Sequence, residues 1–404
     1  MSIPVTSAFT GKIRTSLVNS IVQKLTINNQ DWSTHVVEFP TVHRDYAELS
    51  GATYSVDMEN ATMLFNGQLG AKTMLGKAGK LEFGFQTGAT SQDLIQLFGG
   101  TLTSINYRGT RVSVTFDDKV AMLADRVIGS SDVPVTWTNT SVNPADLAWW
   151  VVTSYGGLST VASISNPDID YATWAAWQSA LASDSVVVQA QFGGETVLDA
   201  LKTIADLTDS IIYDEGDNKI DFARWTGAAS YSSTITDSYI IGDLEATITT
   251  DAMVNRAVVQ FGYNPSSDTW TGQVLAQILP SITNYGMFEA LYDNSTVWYV
   301  NSLSAYKFAE RKVFRSSQPN TVMKVTLPLW YLDVVVGDEV EFTTQVYSLQ
   351  SYAYMVRGGD IDLTKKSMTL TLDEGFGRGA GALRGFTLDD TTWGLLNQTY
   401  NALY

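Results

Sequence analysis

The sequence predicts a mainly β chain carrying an α+β insertion. Two patterns support this. Short runs with apolar residues at alternate positions fill the first 130 residues and return after residue 240, and helical stripes gather between those regions. Supply of core material agrees, because 45% of the 404 residues are hydrophobic, enough for two to four packed units.

Strand signals open the chain. Val22, Leu25 and Ile27 lead to a turn at Asp31-Trp32, followed by Val36 to Phe39. Thr53 to Met58 alternates, Ala61 to Phe65 continues after Glu59-Asn60, and Lys80 to Phe85 has clear period-two character. Ser91 to Leu97 reads as a short helix or turn closed by Gly99-Gly100. Leu102 to Tyr107 and Arg111 to Phe116 then alternate around Arg108-Gly109-Thr110. Strands at this spacing predict a small barrel or sandwich over residues 1–130.

Residues 131–238 read as a middle α+β domain. Asn143-Pro144-Ala145-Asp146 is a helix start and Gly156-Gly157 a stop. A second helix spans Asp170 to Leu181, with Tyr171, Trp174, Trp177 and Leu181 at helical spacing. In a third, Thr196 and Asp199 form a capping pair, and Val197, Leu198, Leu201, Ile204 and Ala205 lie on one stripe. A hairpin follows, Ser210 to Tyr213 and Lys219 to Phe222, turning at Glu215 to Asn218.

Residues 239–375 read as a second β-barrel domain with an inserted helix and an irregular, aromatic-rich loop at 264–300. Asn255 to Tyr263 is a strong strand signal. Ser302 to Phe314 is helical, with Tyr306, Phe308, Ala309 and Val313 inward and Lys307, Arg311, Lys312 and Arg315 on the exposed side. The cations sit towards its C-terminal half, where the helix dipole favours them. Further strands are expected at Val322 to Leu327, Glu339 to Phe342, Ala353 to Arg357 and Ser367 to Leu372. Residues 376–404 form a C-terminal extension, Gly-rich and then weakly helical.

Charge excludes some functions. Forty-two acidic against twenty-five basic residues give a net charge of −17, which argues against sequence-independent nucleic-acid binding. An acidic wall that nucleic acid slides past remains compatible. Charged residues make up only 17%, against about 25% in typical soluble domains, so either neighbours cover much of the surface or the surface is polar and uncharged. The chain has no cysteine, which rules out disulfides, thiolate zinc sites and cysteine nucleophiles. No signal peptide and no membrane-spanning helix are expected, and an outer-membrane barrel is disfavoured.

Catalytic constellations are few. The two histidines, His35 and His43, flank a strand-like stretch and lack zinc-protease spacing. No G-x-S-x-G elbow is present. Gly76-Lys77-Ala78-Gly79-Lys80 misses the phosphate-loop spacing and precedes a strand. Paired carboxylates could serve a glycosidase, but Asp117-Asp118, Asp214-Glu215, Asp338-Glu339 and Asp389-Asp390 all sit at turn signals. Eleven tryptophans keep a carbohydrate-binding or glycoside-cleaving alternative open. No catalytic, cofactor or metal residue is assigned, and no enzymatic activity is expected.

Several segments in order resemble the tail hub (baseplate hub) proteins of bacteriophages and related contractile injection systems. They are Asp31-Trp32 with Arg44-Asp45, Ala52 to Asn60, Gly79 to Phe83, Leu97 to Leu102, Val112 to Asp118, the helix–hairpin at Glu195 to Phe222, Val254-Asn255-Arg256, the helix at Ser302 to Phe314, Val336 to Val340, and Tyr354 to Asp373. Residues 264–300 and 375–404 lie outside the resemblance. It implies two tail-tube-like β-barrel domains around a middle α+β domain, in a structural virion protein at the tail tip. It further implies a homotrimer whose six modules join a six-fold tail tube or distal tail protein to a three-fold spike or fibre, around a channel for passing DNA. Another tail component, such as a distal-tail or fibre-anchoring protein, shares these features.

Overall fold

The computed structural model describes residues 21–39, 41–45, 51–60, 72–86, 92–137, 143–214, 216–224, 233–344 and 349–374. The expected strand at 61–65 and the C-terminal extension lie outside them.

Alternation builds the first sheet. In Thr53–Glu59, Tyr54, Val56 and Met58 point inward while the residues between face solvent. Side chains of a strand project to opposite faces, so this pattern dictates which face is buried. Seven strands among the described residues pair antiparallel in the order Gln30–Asp31, Ile21–Ile27, Ala78–Gln86, Gln92–Arg108, Arg111–Asp117, Thr53–Glu59, Val36–Glu38. The strand Gln92–Arg108 replaces the helix or turn expected at Ser91 to Leu97. Pairing from Gln86↔Gln92 through Ala78↔Thr101 overrides the local propensity of Leu94-Ile95-Gln96-Leu97.

A second sheet, again of seven strands among the described residues, forms from the far end of the chain. Its order is Ser233–Thr236, Glu339–Thr344, Leu349–Asp362, Ser367–Asp373, Asn320–Pro328, Glu245–Thr249. The seventh strand, Val42–Asp45, pairs with Gly358 to Ile361. A piece of the N-terminal region is thus woven into the C-terminal sheet. One continuous apolar core serves both sheets, joining Leu25, Tyr54, Val56 and Phe116 to Met323, Leu327, Phe342 and Leu372. Burying each such side chain contributes roughly 1.5–3 kcal/mol.

The middle unit has its own core. Helix α1, Pro144–Ser154, starts where the Asn143 side chain accepts a hydrogen bond from the Ala145 amide, with proline in the first turn. Helix α2, Tyr171–Ser183, is capped by Asp170, and α3, Val197–Thr208, by Thr196. These helices pack with the hairpin Ser210–Tyr213/Asp221–Arg224 and a mixed sheet in the order Thr269–Gln277, Arg256–Asn264, Val297–Tyr299, Val188–Phe192, Val135–Thr136. Glu289–Tyr292 also pairs with Arg256–Asn264. Helix α4, Leu279–Tyr285, follows the outer strand, and α5, Ser302–Ser316, crosses the sheet.

Three expectations change here. Residues 264–300 are regular, because Thr269–Gln277 folds back on Arg256–Asn264 through a turn with Asp268 at φ 51. The strand at Asn255 to Tyr263 and the helix after residue 302 do not join the second barrel sheet. Ala257, Val259, Phe308 and Val313 lie in the middle core, so residues 255–317 interrupt the expected 239–375 barrel as an insertion. The cations of α5 are also not on an exposed side, as described next. No helix among the described residues is long and apolar enough to cross a membrane.

Candidate functional site

Two clusters of buried acids tie elements of this molecule together. Helix α3 ends at Asp209, which takes the left-handed conformation at φ 49 and is almost fully buried. Aspartate tolerates this geometry better than most residues. Its Oδ2 accepts from Arg311 Nε at 2.9 Å, and its Oδ1 lies 3.5 Å from both Lys312 Nζ and Arg315 Nη1. Arg311 also reaches Asp184 Oδ2 at 3.5 Å, and Arg224 approaches that atom at 2.6 Å. Burial alone would raise the Asp209 pKa, but Lys312, Arg315 and Arg311 outweigh it and hold the group at about 2. The cations face inward because α3 presents an anion at its C-terminal end. Sequence reading missed Asp209. Its only signals are an acid just after the last apolar residue of α3 and three cations on one side of α5.

A second polar joint lies between the first sheet and the hairpin. Of the acid pairs singled out in the sequence, Asp118 and Asp214 come together, both buried. Asp118 accepts from the Ala52 and Ala121 amides, each at 2.6 Å, and Asp214 accepts from Gly216 at 2.6 Å and Asn218 at 3.1 Å. Burial pushes Asp118 up to about 6 despite these amides. Asp214 is raised well above its ordinary value, by burial and then by the charge of Asp118. Both carboxylates therefore tie turns. The hairpin turn seats on Gln92–Arg108, where Gln96 Nε2 donates to the Gly216 carbonyl at 2.5 Å and a Cβ at Gly99 would lie 3.0 Å from Asn218 Cβ. Lys119 pairs with Asp168 beside this joint.

The remaining sequence candidates stay apart. Asp338 caps a turn by accepting from the Val335 amide at 3.0 Å, and neighbouring Gly337, at φ 95, faces Ile211 of the hairpin. Gly76, at φ 77, makes the turn before Ala78–Gln86. Glu215 and Asp389-Asp390 lie outside the described residues. His43 contacts Asp360 across the strand pairing that links the two ends of the chain. Among the described residues, no three histidines, aspartates or glutamates converge as a metal site. No tryptophan whose side chain is described is exposed. Trp177 stacks on Phe222 at 5.0 Å in the middle core, and Trp149, Trp150 and Trp270 are half-buried.

The sheets offer open edges instead. Among the described residues, Glu245–Thr249 pairs only with Asn320–Pro328, and its Ile248 is 72% exposed. Unpaired strand edges are templates for a further strand.

No family model and no curated protein matches the sequence. Solved structures do match in fold. The tail protein from Neisseria meningitidis MC58 superposes with a TM-score of 0.55 at 12% identity, covering 88% of this chain and 97% of that one. The prophage MuSo2 43 kDa tail protein from Shewanella oneidensis gives 0.55 at 11% identity, covering 89% and 99%. The prophage tail protein gp18 from Listeria monocytogenes EGD-e gives 0.51 at 11%, covering 88% and 94%. The chain has the mainly β fold of these tail proteins over nearly their whole length.

Proposed function

We propose that this chain is a structural tail hub and not an enzyme. Three copies close into a ring, and the two sheets of each chain supply six similar modules. The ring joins a six-fold tail tube or distal tail protein to a three-fold spike or fibre at the virion tail tip. DNA passes through it without specific binding, helped by the net charge of −17. One observation carries the reading: among the described residues, two seven-stranded sheets of a single polypeptide share one core and leave an exposed edge at Glu245–Thr249. Closed symmetry would cover such edges and stop open-ended growth. Whole-length likeness in fold to three tail proteins supports the same reading.

Sedimentation and negative-stain imaging of the purified chain test it. The expected particle is a ring with the mass of three 44.2 kDa chains. Ile248→Lys, which places a charge on the exposed edge, should lower the trimer fraction at fixed concentration while the protomer stays folded. A monomer at every concentration, binding a defined glycan, would overturn the proposal.

A further inference from the structure

The middle sheet ends on an unguarded strand. Thr269–Gln277 pairs with Arg256–Asn264 on one side, and among the described residues no strand pairs with its other side. Its register runs unbroken from Arg256↔Gln277 to Asn264↔Thr269, so no bulge turns the edge away. The strand holds no proline and no charge, and no charged residue stands between Asp268 and Glu289.

Other edges of the molecule are blunted. Gln30–Asp31 and Val135–Thr136 have two residues each, and Val36–Glu38 has three with a register break against Thr53–Glu59. Glu245–Thr249 is five residues long and carries a glutamate. Short strands, bulges and charges are the common devices against pairing with another chain. Thr269–Gln277, at nine residues, uses none of them.

The side chains along this edge say what could join it. Val274 and Ala276 turn to the middle core, while Thr271, Gln273 and Leu275 face outward. Leu275, 42% exposed, sits in register with Val258, which in turn meets Leu291, 54% exposed. An added strand would lengthen that apolar row with the residue opposite Leu275 and set polar residues opposite Thr271 and Gln273. Outward backbone N–H and C=O groups are matched residue by residue only by an extended chain.

We propose that this edge receives an extended, uncharged segment of a different protein as a further strand of the middle sheet, with an aliphatic side chain set against Leu275. The charge-free run lets the segment approach without repulsion from an otherwise acidic chain. Preferring a different protein to a second copy rests on the proposed ring. Antiparallel pairing of this edge with itself needs a two-fold axis, which a three-fold ring does not contain.

Fluorescence anisotropy of the full chain with the capped, labelled peptide Thr-Val-Gln-Val-Leu-Val-Thr tests the proposal. Two versions N-methylated at alternate residues, offset from each other by one, separate strand addition from apolar adhesion. The version whose methyl groups face the edge should bind about tenfold more weakly, and the other should match the parent. Equal affinity of all three peptides, or binding by none, would overturn the proposal. Deuterium uptake at residues 269–277 should fall when the peptide is added, and protection confined to 245–249 would move the site and sink the assignment. Leu275→Lys, at an exposed position, should weaken binding roughly fivefold with thermal unfolding unchanged. Unaltered affinity in that variant counts against the aliphatic contact. Sedimentation of the same samples keeps the two readings apart: a trimer that ignores the peptide refutes strand addition and leaves the ring, whereas a monomer that binds it does the reverse. Protection of 269–277 that grows with protein concentration in the absence of peptide would hand the edge to a second copy and overturn the choice of partner.

Discussion

The joint between the two large sheets and the joint between helices α3 and α5 hold the molecule in different ways. The first is an apolar continuum, with Tyr54, Phe98 and Val56 running into Met323, Leu327 and Phe342. The second turns on one carboxylate, Asp209, facing Arg311, Lys312 and Arg315. Apolar contacts are non-directional, so their loss scales with the area removed. A buried ionic contact is closer to all-or-none, because removing the shared anion leaves several cations desolvated. The molecule can therefore tolerate graded change where its sheets join but not where α5 is pinned.

The largest effect that would break this contrast is at Asp209. Asp209→Ala should cost about 3–5 kcal/mol in urea unfolding, the usual consequence of stranding buried charge. Asp209→Asn keeps a residue suited to the left-handed turn and should lose nearly as much. Full recovery in the asparagine variant would assign the effect to backbone geometry and erase the contrast.

A middle-sized effect sharpens it through pH. Asp209, held at about 2, lies below its unfolded value of 3.8, so its contribution is intact above pH 3.8 and lost as pH falls through 2. Asp118, raised to about 6, works in the opposite direction. Its neutral form is favoured in the fold, so that contribution is present below pH 3.8 and lost as pH rises through 6. Between pH 7.5 and 5 Asp118 should add stability on acidification, by on the order of 1–3 kcal/mol, while the contribution of Asp209 stays constant. Thermal unfolding across that range should show the rise. Asp118→Asn should shrink it, even though asparagine can accept from only one of the Ala52 and Ala121 amides.

The smallest effect lies in the apolar joint. The Tyr54 hydroxyl is buried with no hydrogen-bond partner among the described residues, and burial holds its pKa well above the ordinary value. Tyr54→Phe should leave stability unchanged or raise it by up to about 1 kcal/mol, since a buried hydroxyl without a partner is a net cost. A loss above that in urea unfolding would reveal a polar contact inside this core.

Helix ends were readable in the sequence because their signals are local. Asn143, Asp170 and Thr196 each cap the helix that follows them. Strands with one buried face, such as Thr53–Glu59, were readable for the same reason. Membership was not. Arg256–Asn264 shows its period plainly, yet periodicity does not say whether the neighbouring strand is Thr269–Gln277 or one of the second barrel sheet. The outer strand Thr269–Gln277 hid because only Ala276 in it is fully buried. At the polar joints, two of the four acid pairs singled out in the sequence proved to meet. Asp209 escaped because its partners lie a hundred residues away and look like solvated helix cations.

The strand Val42–Asp45 sets an order on biosynthesis. His43 and its contact Asp360 are 317 residues apart, so Val42–Asp45 has no partner in the second sheet until residues 358–361 have left the ribosome. The entropy of closing so long a loop grows only logarithmically and adds little to the equilibrium cost, but it delays the event. A nascent chain halted near residue 340 would expose apolar flanks of both sheets at once. Premature association with sister chains is thereby discouraged only if folding waits until residues 358–361 are free to pair.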